Sequence, residues 1–428
     1  MKEHGFIRVG ASIPKIYIGN VEENIKEIKK EIKKANELGV EITLFPELSL
    51  TSASANDLFF NTKLLEDAKK GLLEITKYTK KHKGIYIIGL PIIIDNYLYN
   101  VSAVLQDGNI LGLVPKFEEN RWFKNGKKIK TKNILIDKLN VPIGNLIFKN
   151  NDITFNVVLG EHIKTNDSLI TFNINNSLSL VKRNEYLETK IKSFTKENIS
   201  ALVYTSNSAL ESTTDTLTEP TIIIGEVGDI FINNQTITFE NKLEMFDIDY
   251  YKLINLRNRQ SNNFENNETY EVIYYNDIDT NNTLIREYSD TPFIPKNKTD
   301  RDKRCEKILN TQAYGLARRL KATGINSCVL GISGGLDSTL AFLVTIKAFD
   351  ILNLDRKNII GITLPGFGTT NRTYTNACKL VENYGATLKE ISIKEACIQH
   401  FKDIDHDINI TDITYENSQA RERTQILL

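Results

Sequence analysis

Six consecutive residues, Ser333-Gly334-Gly335-Leu336-Asp337-Ser338, combine the groups that a polyphosphate needs. Adjacent glycines let backbone amides approach an anion closely, and two serine hydroxyls add donors. The apolar run Cys328-Val329-Leu330-Gly331-Ile332 leads in and a helical pattern leads out. The free amides and positive dipole end of a helix start would therefore face the same ligand. Asp337 would repel phosphate unless a cation sat between them, which makes it a natural Mg2+ ligand. The stretch lacks the Gly-Lys-Ser/Thr ending of a Walker loop. A double glycine alone would suit an ordinary tight turn; the serines, the aspartate and the strand–turn–helix setting favour the phosphate reading. A second carboxylate of interest is Glu47, in Phe45-Pro46-Glu47-Leu48-Ser49-Leu50-Thr51, directly behind an apolar run. Taken singly, such a glutamate is more often a surface or capping residue.

The elements that would hold these groups follow from periodicity. Residues 6–12, 40–45 and 85–90 read as strands. Val21, Ile25, Ile28, Ile32 and Ala35 recur at spacings of four and three, one face of a helix closed near Gly39. Residues 65–79 read as a further helix. Between about Ser261 and Lys298, Asn, Asp and Thr dominate and Pro292 and Pro295 punctuate, the signature of a connection. A helix over 302–320, a strand over 327–332, a helix over 337–349, a strand over 358–363 and a helix over 374–384 then form a second α/β unit suited to a parallel sheet.

Composition sets the outer bounds. At roughly 100–200 residues per domain, 428 residues allow two or three domains. Lys plus Arg is 54 and Asp plus Glu is 54, so no charge excess favours nucleic acid or an acidic membrane surface. The longest apolar runs, such as 85–94, are too short to span a bilayer, and Met1-Lys2-Glu3-His4 opens no secretion segment. Cys305, Cys328, Cys378 and Cys397 form no metal-ligand spacing and read as free thiols of a cytoplasmic protein.

The loop 333–338 resembles the pyrophosphate-binding loop of the N-type ATP pyrophosphatases. Members of that group activate a carboxylate or carbonyl oxygen as an adenylate, release pyrophosphate and let a nucleophile displace AMP. Three more stretches resemble the NAD synthetases in particular: Ile362-Thr363-Leu364-Pro365-Gly366-Phe367-Gly368-Thr369-Thr370, Ile391-Ser392-Ile393-Lys394-Glu395-Ala396, and residues 414–425 around Asn417. The resemblance implies ATP and Mg2+ at Gly331, Ser333, Gly334, Gly335, Asp337 and Ser338, with Asp337 on the metal. It implies deamido-NAD at Asn417 and Arg421. Arg421 and Arg423 also stand near a helix start, where phosphates could dock, although a solvated helix face is the ordinary reading of such arginines. In the N-terminal half, the Glu47 segment, Asn100, the run 108–116 ending in Lys116, Arg121-Trp122-Phe123 and Glu211-Ser212-Thr213-Thr214-Asp215 resemble the nitrilase-like glutaminase domain of glutamine-dependent NAD synthetases. That implies a four-layer α-β-β-α sandwich over 1–262, a linker over 263–300, and an ATP pyrophosphatase domain over 301–428. The family also implies a homo-oligomer that takes nitrogen from glutamine or ammonia.

Two departures qualify the resemblance. Nitrilase chemistry needs a cysteine thiolate, a glutamate that moves protons and a lysine that steadies the tetrahedral intermediate. Glu47 and Lys116 match, but in Phe155-Asn156-Val157-Val158-Leu159-Gly160-Glu161-His162 the family's cysteine position carries Gly160. No cysteine precedes Cys305. The loop after Lys116 is contracted to Phe117-Glu118-Glu119-Asn120, and the segment after Glu161 is shortened as well. Ser177 and Arg183 still match glutamine-binding positions, while His162 replaces an acid. A glutaminase half without activity is therefore expected. The second departure is Leu428, which falls inside a predicted helix where family members continue. The reading that follows is a synthetase domain truncated at its C-terminus, with no NAD formation expected from residues 1–428 alone. A non-catalytic homologue or oligomer subunit is the alternative.

Overall fold

The computed structural model describes residues 2–163, 167–176, 180–211, 219–260, 269–278 and 282–428. Ser177, residues 212–215 and residues 261–268 of the expected linker lie outside the described residues. The chain forms two compact units, Met1–Glu287 and Tyr288–Leu428.

The first unit is built from two sheets. One has six strands in the order Lys242–Asp249, Phe6–Ile13, Ile42–Leu44, Ile85–Ile94, Tyr97–Gln106 and Asn109–Pro115. Its Phe6, Ile42 and Ile85 strands run parallel, and the others join antiparallel. The other has seven strands in the order Asp229–Asn234, Ile222–Glu226, Ala201–Thr205, Ile170–Ile174, Thr154–Leu159, Leu146–Lys149 and Glu271–Tyr274. Strand residues alternate between faces. Ile7, Val9, Ala11, Ile85 and Ile87 of the first sheet therefore meet Phe155, Phe172, Val203 and Ile224 of the second in one core. The intervening Tyr86, Ile88 and Leu90 face outward onto the helices Val21–Glu37 and Thr62–Thr79. The predicted helix face is the buried one: Val21, Ile25, Ile28, Ile32 and Ala35 are all covered. On the far side, Leu187, Ile191 and Phe194 of helix Arg183–Glu197 cover Leu202, Tyr204 and Ile223. The result is a helix–sheet–sheet–helix sandwich.

The connection expected over 263–300 differs in the structure. Glu271–Tyr274 is a strand paired in parallel with Leu146–Lys149, and Tyr275 and Ile278 enter the core. Further on, the buried Arg286 bonds both carboxylate oxygens of Glu226 at 2.7 and 3.0 Å, beside the stacked rings of Phe231 and Phe246. The first unit thus extends to Glu287. Its last strand is short, edge-located and half-solvated, so it carries too few apolar residues to stand out from the polar stretch around it.

The second unit holds a parallel sheet of Cys328–Gly331, Ile359–Thr363 and Thr387–Glu390. Helix Lys298–Thr323 starts at the Asn297 cap and ends on Gly324 at φ 72°. Leu320, Phe342, Ile346 and Phe349 pack with Ile332, Ile359, Ala377 and Val381 to form its core. No helix among the described residues is long and apolar enough to cross a membrane.

Candidate functional site

In the first unit the chain turns sharply after Glu47, with Leu48 at φ 55° and Ser52 at φ 78°. The turn is held from outside. Glu211 accepts from Ala53 N at 2.8 Å, Ser54 N at 3.0 Å and Ser52 Oγ at 2.7 Å, and also from Ser54 Oγ. Asn207 Nδ2 donates to Glu211 at 3.3 Å and reaches the Glu47 carbonyl at 3.5 Å. The strand beneath passes so close that a Cβ on Gly89 would lie 2.4 Å from Leu48 N, which restricts that position to glycine.

Glu47 itself is buried. Its Oε1 accepts from Asn100 Nδ2 at 2.5 Å and Lys116 Nζ at 2.9 Å, and its Oε2 accepts from Lys116 Nζ at 3.2 Å and Asn176 N at 3.3 Å. Burial works to lower the Lys116 ammonium, but the carboxylates of Glu47 and then Glu118 outweigh it and lift its pKa above the ordinary lysine value. Gly160 follows the strand Thr154–Leu159 at φ 106°, donating to Ile174 O at 2.8 Å and accepting from Asn173 Nδ2 at 2.9 Å. The Glu118 carboxylate connects the two: Oε2 lies 3.7 Å from Lys116 Nζ, and Oε1 would lie 2.6 Å from a Cβ on Gly160. The fold therefore brings Glu47 and Lys116 into contact, and Glu118, which the sequence reading did not single out as a site residue, joins Lys116 to the space beyond Gly160. Its one signal in the sequence was a carboxylate two residues beyond Lys116 in the contracted loop.

Arg183 opens helix Arg183–Glu197. Its NH1 bonds Glu161 at 2.9 Å, while Nε and NH2 are buried and have no hydrogen-bond partner among the described residues. The Arg183 hydrogen bond holds the Glu161 carboxyl below its ordinary value. Lys190 donates to the Glu161 carbonyl, and burial pushes its ammonium pKa down. His162 is exposed and lines a cavity of about 450 Å³ with Phe117, Glu118, Lys127 and Tyr270. All four free cysteines belong to the second unit, so this group holds no thiol.

In the second unit, Ser333–Ser338 is a strand-to-helix loop whose helix, Leu336–Leu352, starts at the Gly335 cap. Gly334 stands at φ 79°, and a Cβ there would lie 2.1 Å from Thr373 O. Ser333 and Ser338 hydroxyls are 3.1 Å apart, and Gly335 N donates to Ser333 Oγ at 3.3 Å. Asp337 is exposed in the first helical turn. Among the described residues no cluster of three or more His, Cys, Asp or Glu could hold a metal by itself. A single aspartate beside hydroxyls nonetheless fits Mg2+, which is commonly held by one or two carboxylates together with substrate phosphates.

Beside the loop lies a cavity of about 520 Å³, bordered by Gly331, Ser333, Thr369, Tyr374, Glu416, Gln419 and Arg423. It opens at the carboxyl ends of parallel strands, the usual ligand position in open α/β sheets. Arg423 Nε donates to Leu364 O at 3.3 Å, and Gln419 Oε1 accepts from Phe367 N at 3.0 Å. Asn417 and Arg421 are on the same helix, Ile413–Leu427, but exposed and outside that lining. The helix presents 416, 419 and 423 to the cavity, so 417 and 421 fall on the neighbouring face.

The NAD synthase family model matches residues 308–428. The glutamine-dependent NAD(+) synthetase of Mycobacterium leprae (strain TN) is 28% identical over 461 residues, covering 99% of this chain and 67% of that protein. The enzyme of the same name from Aquifex aeolicus (strain VF5) is 26% identical over 427 residues, covering 96% of this chain and 70% of that one. The chain thus spans about two thirds of the length of these relatives. A crystal structure of a glutamine-dependent NAD(+) synthetase from Cytophaga hutchinsonii has the same fold, with a TM-score of 0.53 at 19% identity over 99% of this chain and 72% of that one.

Proposed function

The chain belongs to the glutamine-dependent NAD(+) synthetase family of carbon–nitrogen ligases, and from that premise we propose that it amidates deamido-NAD using ATP, with ammonia rather than glutamine as nitrogen source. The observation that carries the nitrogen source is Gly160: no side chain stands where an acyl-accepting thiolate would. Glu47 has no thiol to deprotonate, and Lys116 no tetrahedral intermediate to steady. The two unpartnered donors of Arg183 form one edge of a guanidinium fork and suit a carboxylate bidentately. With Ser177, Arg183 would hold glutamine without cleaving it.

In the synthetase half, the reading places the ATP phosphates on Gly331, Ser333, Gly334, Gly335 and Ser338. Asp337 would hold Mg2+, which when bound neutralises charge on the phosphates. The deamido-NAD carboxylate oxygen attacks the α-phosphorus and pyrophosphate leaves. Ammonia then attacks the acyl carbon, AMP leaves, and the amine proton passes to solvent. Asn417 and Arg421 are assigned to the dinucleotide, with Gln419 and Arg423 on the face turned to the cavity. Four free thiols support a cytoplasmic location. The family resemblance supports a homo-oligomer.

The test is a pair of assays on the whole chain. Glutamate release from glutamine should stay at background, and any NAD formed from deamido-NAD, ATP and Mg2+ should depend on ammonium. Glutamate release that is abolished by Glu47→Gln would reject the proposed nitrogen source.

A further inference from the structure

The site lacks a side chain at position 160, yet the space beyond Gly160 is filled. A Cβ built there would lie 2.6 Å from Glu118 Oε1, 2.9 Å from its Cδ and 3.1 Å from Oε2. The same carboxylate reaches Lys116 Nζ at 3.7 Å. Lys116 is largely enclosed, its side chain only 15% exposed, and an enclosed ammonium needs compensating anions. Glu47 is one of them, at 2.9 Å. A thiolate at 160 would have been a natural second, and Gly160 cannot provide it.

We propose that Glu118 is a positioning residue that has taken the place of the missing nucleophile: its carboxylate fills the volume beyond Gly160 and supplies the second anion that holds Lys116 against Glu47. The proposal rests on the reading of this site as nucleophile-free. The contracted loop makes the placement possible. Its base is tied by Gly126 N to Lys116 O at 2.8 Å and by Asn125 Nδ2 to Phe117 O at 2.7 Å. The adjacent Glu119 does something else, bonding Lys124 at 2.9 Å and Lys128 at 2.6 Å. The two glutamates are therefore not interchangeable. The atoms that crowd position 160 are the far end of a flexible side chain that is itself 42% exposed. A group introduced at 160, besides straining the backbone at φ 106°, meets the Glu118 carboxylate and displaces it. Adding a Cβ at 160 and neutralising Glu118 should then have the same consequence for Lys116.

That equivalence is measurable without turnover. Lys116 is acetylated at trace level with an N-hydroxysuccinimide ester, and its rate is read by peptide mass spectrometry across a pH series. At about pH 8, below the ordinary lysine pKa, the rate tracks the fraction of free amine. Glu118→Gln should speed Lys116 acetylation roughly threefold and shift its pH midpoint downward, because an anion beside the ammonium is gone. Glu119→Gln should leave Lys116 unchanged. Gly160→Ala should reproduce the gain in the parent chain and add nothing in the Glu118→Gln chain. Equal Lys116 rates in parent and Glu118→Gln, or independent gains from the two substitutions, would overturn the proposal. If Gly160→Ala does not fold, the contrast between Glu118→Gln and Glu119→Gln decides alone, and equal profiles reject it. Glutamate release by the parent chain would remove the nucleophile-free reading instead, a result separate from the Lys116 profile.

Discussion

Gly334→Ala should weaken Mg·ATP binding at least tenfold. Two separate costs act on the substitution. Gly334 stands at φ 79°, where an alanine costs about 1–2 kcal/mol relative to glycine. The new Cβ would also lie 2.1 Å from Thr373 O, 2.9 Å from its carbonyl carbon and 3.1 Å from its Cα. These atoms are backbone at the start of helix Asn371–Asn383, so no rotamer change relieves the overlap. Either the loop or the helix start must move by about 1 Å, on the scale at which misplacement becomes costly for a preorganised site. Tenfold weaker binding is about 1.4 kcal/mol, within what the strain alone can supply. Titration calorimetry with Mg·ATP reads the effect directly. Thermal melting reads it again: at a ligand concentration of about 100 times the parent Kd, the stabilisation of about 2.7 kcal/mol should fall to about 1.4 kcal/mol. The control is Gly315→Ala, in helix Lys298–Thr323 with no atom within 4 Å of the added Cβ. It should stabilise the protein by about 0.5–1 kcal/mol and leave ATP binding untouched. Unchanged ATP affinity in Gly334→Ala would refute the placement of phosphate at this loop.

Asp337→Ala should remove the Mg2+ dependence of ATP binding while leaving metal-free ATP binding intact or tighter, as measured by titration with and without a chelator. Gly160→Cys should place a thiol at φ 106°, a strained angle for a side chain, costing about 1–3 kcal/mol in calorimetric melting and giving no appreciable glutamate release. Arg286→Ala should strand the buried Glu226 carboxylate with Lys252 at 2.7 Å as its remaining ionic partner, costing about 3 kcal/mol. For a unit of this size the melting transition should fall by roughly 6–12 °C. The same pair sets an acid limit. Burial works to raise the Glu226 pKa, but hydrogen bonds from Arg286 and Lys252 outweigh it and hold it below its ordinary value. Its contribution is therefore present above the unfolded glutamate pKa of about 4.3 and is lost as pH falls through the lower folded value. Melting across that window should be steeper in the parent than in Arg286→Ala.

What the sequence alone determined is the chemistry carried by contiguous residues. Ser333–Ser338 is legible because its donors, glycines and aspartate lie within one turn, where spacing dictates geometry. Glu47 and Lys116 stand out through their local context, and composition alone excludes a thiolate, since no cysteine precedes Cys305. Tertiary structure decided whatever depends on which distant segments meet. Glu211 holds the Glu47 turn from more than 150 residues away in sequence, bonding Ser52 with a separation of 159. Arg286 returns to Glu226 across 60 residues and keeps Glu271–Tyr274 and its neighbours in the first unit, although their composition reads as a linker. Helical period places Glu416, Gln419 and Arg423 on one face and Asn417 and Arg421 on another, but only the packing against Leu364 and Phe367 selects the face that meets the cavity. Glu118 is the sharpest instance. Its neighbour Glu119 has the same charge and the same loop, yet the loop's path brings one carboxylate to Gly160 and the other to Lys124 and Lys128.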